Sequence, residues 1–329
     1  MPAPRIVIVT PAPPGSRAGN RHTALRWARL LRGLGAKVAI RDDWQSGNED
    51  LMIALHARKS RPAMLAWRAR HGQRPLVLAL TGTDLYHDIR VDPAARASLD
   101  LASRLVVLQA AALDELTPAQ RALCHVIHQS VAPGKAVMPR PEVKHSRRFR
   151  FCILGHLRHE KDPFRAALAL QCLPRRTGIE VVQAGAALTA PMEEEARRLM
   201  RVEPRYRWVG ELPHWRAMNL LRGSHAMIIS SRLEGGAHVV SEAIAAGVPV
   251  LASDIPGNCG LLGSDYPAYF PVEDEAALAE LMRLTIEAPE FYSALADSLK
   301  SRRPLTDPQL EIEAWRSLLA ELLPAHFKS

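Results

Sequence analysis

The sequence predicts two doubly wound α/β domains in tandem, and three observations carry that expectation. Short β-branched or apolar runs recur along the chain, with helical patterns between most of them. One proline-rich, basic stretch near the middle interrupts the alternation. The chain has 329 residues, more than a single core usually organises.

Arg5-Ile6-Val7-Ile8-Val9-Thr10 reads as the first strand, followed by breakers from Pro11 to Asn20. A helix is expected from about His22 to Leu34, with Leu25, Leu30, Leu31 and Leu34 apolar and Gly35 ending it. Further strands are expected at Lys37 to Ile40, Leu51 to Leu55, Leu76 to Leu80, Leu105 to Leu108 and Val126 to Ile127. The stretch from Ser130 to Arg148 holds Pro133, Gly134, Pro139 and Pro141, then Lys144, Arg147 and Arg148, and reads as a linker. A second series opens with Phe149 to Gly155. Its strands are expected at Ile179 to Gln183, Tyr206 to Val209, Ala226 to Ser230 and Val248 to Ala252. Its helices are expected at Pro163 to Leu173, Met192 to Val202, His214 to Leu221 and Ala276 to Glu287, and Pro308 to Leu323 is helical in pattern. The expected limits are 1–135 for the first domain, 136–148 for the linker, 149–305 for the second domain, and 306–329 for a C-terminal helix able to pack back on the first. Ligands of such sheets bind beyond the C-terminal ends of the strands, so strand-end loops should line a cleft between the domains. Trp27, Trp67, Trp208 and Trp215 read as core or interdomain packing, and Glu193-Glu194-Glu195 as a solvated helix start.

A formal net charge of +9 fits either a basic soluble surface or a field that gathers anionic substrates. Nucleic acid is not expected as a partner: there are five Tyr and six Phe, with no basic–aromatic repeat and no zinc spacing. Cys124, Cys152, Cys172 and Cys259 lie far apart, so neither a zinc site nor a redox pair is expected, and Cys152 reads as a small core residue. No signal pattern and no apolar run of spanning length is present, which gives a cytoplasmic protein without membrane insertion as the expectation.

The most informative local pattern is Ser231-Arg232-Leu233-Glu234-Gly235-Gly236-Ala237-His238-Val239-Val240-Ser241-Glu242, after the apolar run from Ala226. It reads as strand, glycine loop and helix. Free backbone N–H groups at such a helix start, with the helix dipole, suit a phosphate. Carboxylates at Glu234 and Glu242 flank that spot and suit sugar hydroxyls. The plainer readings are a helix-capping role for Glu234 and a surface or i,i+4 helix charge for Glu242.

Glu234 to Glu242 with the following Ala243-Ile244-Ala245-Ala246-Gly247-Val248-Pro249-Val250, the string Gly155-His156-Leu157-Arg158-His159-Glu160-Lys161-Asp162, and the loop ending Gly19-Asn20-Arg21-His22 occur in that spatial logic, each after an expected strand. Together they resemble the retaining nucleotide-sugar glycosyltransferases of the GT-B architecture, with its two Rossmann-like domains, over nearly the whole chain. Gly19 to Ala24, Thr81 to Tyr86 and Ser253 to Asn258 are similar to the selenosugar synthases of selenoneine biosynthesis, which join selenophosphate to the sugar of a UDP-sugar.

The resemblance implies a UDP-sugar donor carrying a hexose or N-acetylhexosamine, and selenophosphate as acceptor. Glu234 would lie near the donor sugar, Glu242 would accept from the ribose hydroxyls, and Lys161 would meet the diphosphate. Gly235, Gly236, Ala237 and His238 would offer backbone N–H groups, and Gly19 and Asn20 would approach the diphosphate from the first domain. The family's phosphate arginine falls on His156, so Arg158 or His156 is its replacement. Arg17, Arg21, Thr81, Thr83 and Asp84 are the expected acceptor contacts, with Thr81 standing where many relatives have histidine. No cofactor and no metal is expected, since the chain contains no Asp-x-Asp and fixed cations can meet the leaving group. An oxygen-acceptor transferase of envelope or lipid sugars is the alternative, and a non-catalytic nucleotide-sugar sensor or nucleic-acid-binding protein is the alternative of another class.

Overall fold

The computed structural model describes residues 2–16, 19–132, 148–175 and 178–327. Its contacts divide the chain into two compact units, Met1–Gln129 with Pro308–Ser329, and Ser130–Asp307. Of the expected linker 136–148, all but Arg148 lies outside the described residues, as does Arg17.

The first unit contains β1 (Arg5–Val9), α1 (Gly19–Gly33), β2 (Lys37–Arg41), β3 (Leu51–Leu55), α2 (Arg61–His71), β4 (Leu76–Leu80), α3 (Ile89–Val91), α4 (Pro93–Leu99), β5 (Arg104–Val107), α5 (Pro118–Ala122), β6 (Cys124–Val126) and α13 (Pro308–Leu322). Its strands are parallel in the order β2-β1-β3-β4-β5-β6. Side chains alternate across a strand, and the sequence uses both faces. Val7, Val9, Met52, Ala54, Leu76, Leu78 and Leu80 enter one core with Trp44 and Trp67. Ile6, Ile8, Leu51, Ile53, Leu55, Val77 and Ala79 enter the other with Trp27. The C-terminal helix α13 belongs to this second core through Trp315, Leu318 and Leu319. Trp315 meets Trp27 edge to face at 4.8 Å, and Glu311 pairs with Arg26 beside them.

The second unit contains β7 (Phe149–Leu154), α6 (Arg165–Gln171), β8 (Ile179–Ala184), α7 (Ala190–Val202), β9 (Tyr206–Trp208), α8 (His214–Arg222), β10 (Ala226–Ile229), α9 (His238–Ala246), β11 (Val250–Ser253), α10 (Pro256–Leu262), β12 (Tyr269–Phe270), α11 (Glu275–Glu287) and α12 (Pro289–Arg302). The parallel order is β12-β11-β10-β7-β8-β9. One core cluster spans both faces of this sheet, with Cys152 fully buried in it. Strand order reverses between β7 and β10, and in the first unit between β1 and β3. Those two reversals are where sheets of this kind open to ligands.

Two local expectations are corrected. α1 begins at Gly19, three residues before the expected start, so Gly19 and Asn20 form its first turn rather than a loop. Glycine and asparagine favour turns, but backbone N–H groups of a first turn need no helical partner, so the propensity cost is small there. Trp215 is 60% exposed and lies under the Arg216 guanidinium at 5.0 Å, so it does not pack in a core. Trp208 is half-buried and donates its Nε1–H to Gly185 O at 2.8 Å. Glu193 and Glu195 pair along α7 with Arg197 and Arg198. Among the described residues no helix is long and apolar enough to cross a membrane.

Candidate functional site

In the second unit the loops after β7 and β10 meet at the strand reversal. Gly155 and Gly185 pass so closely that a Cβ on Gly185 would lie 1.9 Å from Gly155 O. Leu157 N donates to Ala186 O at 2.9 Å, and Ala186 N donates to His156 Nδ1 at 3.1 Å. A neutral His156 ring therefore carries its proton on Nε2. Residues 159–161 form a tight turn that ends at Asp162, whose φ of +42° is left-handed. This turn presents Lys161. An open depression of about 290 Å³, counting its solvent-facing mouth, is lined by His156, Lys161, Ser230 and Ser231 among others.

Lys161 Nζ donates to Glu234 Oε1, which also accepts from Ser231 Oγ at 2.7 Å. The glutamate expected at the sugar is thus joined to the lysine expected at the diphosphate, 73 residues away in sequence. Arg232 braces the arrangement. Its backbone N donates to Glu160 O at 2.9 Å, and its guanidinium reaches His159 O, Glu273 and, at 3.4 Å, Asp162. Ser230 Oγ donates to Asp162 O at 2.8 Å. Arg158 is half-buried, with Glu160 3.9 Å away. Gly235 and Ala237 are buried and Gly236 is half-buried, and α9 starts at His238 with no side-chain cap on its N-terminus. The backbone N–H groups of His238 and Val239 open the helix ahead of its first backbone bond, from Val240 N to Ala237 O at 2.8 Å, and groups in that position have no helical acceptor.

Glu242 lies one face further along α9 and is 7% exposed. It accepts from His214 Nε2 at 2.7 Å, and His238 Nδ1 is 3.4 Å away. Burial pushes its pKa up, but hydrogen bonds from His214 and His238 outweigh burial and hold the carboxyl at about 2. The same contact raises the pKa of His214, against burial. Glu242 is therefore not a surface charge, but it does pair at i,i+4 along α9 with His238, and Glu234 caps no helix: the N-cap of α9 is Ala237.

In the first unit, Gly19 and Asn20 offer first-turn N–H groups of α1. Arg21 is half-buried, and its Nη1 is buried without a hydrogen-bond partner among the described residues. Asp84 is fully buried. Its Oδ1 accepts from Thr81 N at 2.9 Å and Gly82 N at 2.8 Å, and its Oδ2 from Ala57 N at 3.1 Å. Expected as an acceptor contact, its carboxylate instead ties the loops after β3 and β4 together. Thr83 is exposed and Thr81 half-buried at the tip of that loop.

Sequence reasoning missed Arg232 and His214. Arg232 sits two residues from Glu234, which was a usable signal. His214 meets Glu242 across 28 residues with no local pattern to mark it. Among the described residues no group of three or more His, Cys, Asp or Glu is placed to hold a metal ion.

Two parallel α/β units, each with its own strand reversal, are the architecture of the GT-B fold. The profile of the family described as glycosyl transferases group 1 matches residues 135–302. The chain belongs to that family and is a glycosyltransferase. Its fold is similar to sucrose-phosphate synthase from Thermosynechococcus elongatus, with a TM-score of 0.75, 13% identity, and coverage of 98% of this chain and 100% of that one. It is also similar to Anabaena HepE in complex with UDP and glucose, at TM-score 0.69 and 14% identity over 98% of this chain and 100% of that one. The lipopolysaccharide outer core galactosyltransferase WaaB, in its apo form, gives TM-score 0.69 and 12% identity over 97% and 100%. No curated protein gives a significant sequence match.

Proposed function

We propose that this chain transfers a hexose or N-acetylhexosamine from a UDP-sugar to selenophosphate, forming a carbon–selenium bond, as the selenosugar synthases of selenoneine biosynthesis do. The observation that carries the donor half is the Lys161–Glu234 pair beside the uncapped start of α9. A nucleotide sugar would draw the Lys161 ammonium onto its diphosphate and leave the Glu234 carboxylate for a sugar hydroxyl and for positive charge developing at the anomeric carbon. His156 Nε2–H, Arg158 and the N–H groups of Gly235 to His238 add donors for the leaving diphosphate, so that fixed groups do the work and no metal is needed. Glu242, ionised and buried, takes the ribose hydroxyls. That HepE holds UDP and glucose in the same fold supports the choice of donor.

The acceptor half is supported by the resemblance of residues 19–24, 81–86 and 253–258 to the selenosugar synthases, and by Arg21. A buried guanidinium N–H without a partner is costly unless an anion completes it, and guanidinium forks suit phosphate oxygens. Selenium attacks the anomeric carbon, the carbon–oxygen bond to UDP breaks, and UDP leaves with the bonding electrons. Such a nucleophile needs no general base, which fits Thr81 where an imidazole would otherwise stand. Loss of the phosphoryl group from selenium is a separate hydrolytic step.

The test is mass spectrometry of products, with UDP release, from a panel of UDP-sugars with and without selenophosphate. A product carrying selenium on the sugar, with UDP release stimulated by selenophosphate, is the expected result. Equal release in both arms rejects the acceptor, and an oxygen-linked product in an acceptor panel supports the alternative transferase.

A further inference from the structure

A buried histidine stands at the strand reversal of the first unit, outside the residues given roles above. His56 follows β3 directly and is 2% exposed. Its φ of +82° is left-handed, a region that a bulky side chain rarely occupies. Such strain persists where the surroundings over-determine it, and it clusters at functional sites. Here the surroundings can be named. Lys59 N donates to Nδ1 at 3.4 Å, so the ring proton of the neutral form sits on Nε2. Nε2 lies 3.3 Å from Thr83 Oγ1 and 3.7 Å from Asp88 Oδ2. Asp88 is held in turn by Arg58 Nε at 3.0 Å and, on its other oxygen, by His87 Nδ1 at 3.2 Å. Asp84 fixes both loops by accepting from Ala57 N, next to His56, and from Thr81 N and Gly82 N, next to Thr83.

The arrangement limits what each group can do. With Nδ1 facing a backbone N–H and Nε2–H facing Thr83, the ring has no lone pair for taking a proton from a nucleophile. Burial lowers its pKa; Asp84 and Asp88 pull the other way, and Lys59 and Arg58 add to the fall. The exposed Thr83 hydroxyl accepts from the ring, so its own proton is directed away from His56. We infer that His56 is a positioning residue that holds the Thr83 hydroxyl as a fixed hydrogen-bond donor, so that this end of the sheet takes the acceptor through an anionic oxygen. The inference rests on the reading of Thr83 as an acceptor contact. It adds that His56 leaves the Thr83 proton for the acceptor, so that an anionic oxygen, the stronger partner for such a donor, is favoured over a neutral hydroxyl.

The experiment compares His56→Asn, Thr83→Val, Thr83→Ser and the His56→Asn/Thr83→Val double variant, with selenophosphate varied at saturating UDP-sugar. Asparagine tolerates a left-handed φ and is too short to take the place of the imidazole. Each of His56→Asn and Thr83→Val is expected to raise the KM for selenophosphate about tenfold, the usual scale of one hydrogen bond to a charged group, with kcat changed less than threefold. The double variant should be no worse than Thr83→Val, because both act through one hydroxyl. Thr83→Ser should stay near the parent, and the UDP dissociation constant should not move in any variant. Nitrogen-15 NMR of the parent should show His56 neutral at pH 7 with the proton on Nε2. Additive KM effects, an Nδ1–H tautomer or an imidazolium would each overturn the inference. Parent protein that leaves selenophosphate untouched overturns the proposed reaction instead, and the nitrogen shifts still decide the His56 geometry.

Discussion

Gly257 lies in the first turn of α10, and its missing side chain is what lets Glu234 sit where it does. A Cβ built there falls 2.0 Å from Glu234 O, 2.7 Å from its carbonyl carbon and 3.0 Å from its Cβ. Real Cβ atoms essentially never come closer than 3.0 Å, so Gly257→Ala must separate α10 and the Glu234 backbone by about 1 Å. The neighbours are backbone atoms, and the loop is pinned nearby by Ser253 Oγ donating to Ser231 O at 2.6 Å and by the Lys161 contact. Overpacking of this kind costs about 1–3 kcal/mol, well below the usual stability of a domain, so the variant should fold with Tm lowered by about 3–10 °C. A shift of about 1 Å at a reacting centre costs on the order of 100-fold in rate. UDP release should therefore show kcat/KM down by about two orders of magnitude, with UDP itself still bound in calorimetry. Gly33→Ala is the control: it closes α1 with no other heavy atom within 4 Å, and should change neither quantity. Activity of Gly257→Ala within threefold of the parent at unchanged Tm would refute the claim that this close approach positions Glu234.

Three further outcomes follow from the same contacts. Arg232→Ala removes the brace on the turn carrying Lys161, so kcat should fall at least tenfold while Tm moves by only a few degrees; a proportionate loss of both would make Arg232 simply structural. Trp315→Ala should destabilise the first unit by about 3–5 kcal/mol in urea unfolding, since it empties the contact with Trp27, and a change under 1 kcal/mol would contradict the burial. His225 is buried against Phe149, accepts from Arg150 N at 2.9 Å, and its Nε2 has no hydrogen-bond partner among the described residues. Burial lowers its pKa, so the unfolded chain binds more protons below about pH 6.5, and stability should fall as pH drops through that range. His214 works in the opposite sense, its contribution being complete below about pH 6.5 and lost as pH rises through its raised pKa. The urea midpoint at pH 5 relative to that at pH 7.5 should be higher in His225→Asn than in the parent, whichever sign His214 gives the parent's own difference, and an unchanged relative midpoint would remove His225 from the account.

What could be read from the sequence is what local spacing determines. The run Ile6 to Val9 shows a strand because both faces are apolar, and its two faces do enter two cores. Glu234 and Glu242 are visible because a glycine pair and a helical pattern separate them. What could not be read depends on contacts between distant residues. The sequence marks Lys161 and Glu234 as separate site residues, but their pairing arises only when β7 and β10 lie side by side. Trp215 misleads for a related reason: an indole has a large apolar face, but its place on α8 turns it outward, where it is left exposed with the neighbouring arginine over its ring. Asp84 misleads in the opposite way, since a carboxylate in a strand-end loop looks available for ligand until its three backbone donors are found.

Glu242 shows how the two kinds of information combine. Its position just over one turn into α9 follows from spacing, and a carboxylate there could be solvated, paired or protonated. Burial alone would favour the neutral acid, a poor acceptor for a ribose diol. His214, brought from the start of α8, reverses that balance and keeps the buried group ionised. The imidazole thus occupies an oxygen that a ribose hydroxyl would also seek. On the proposed reading of Glu242 as the ribose contact, nucleotide binding would either share Glu242 between its two oxygens or displace His214. His214→Phe separates these routes, because sharing requires the histidine for tight UDP binding, and displacement makes its removal neutral or favourable.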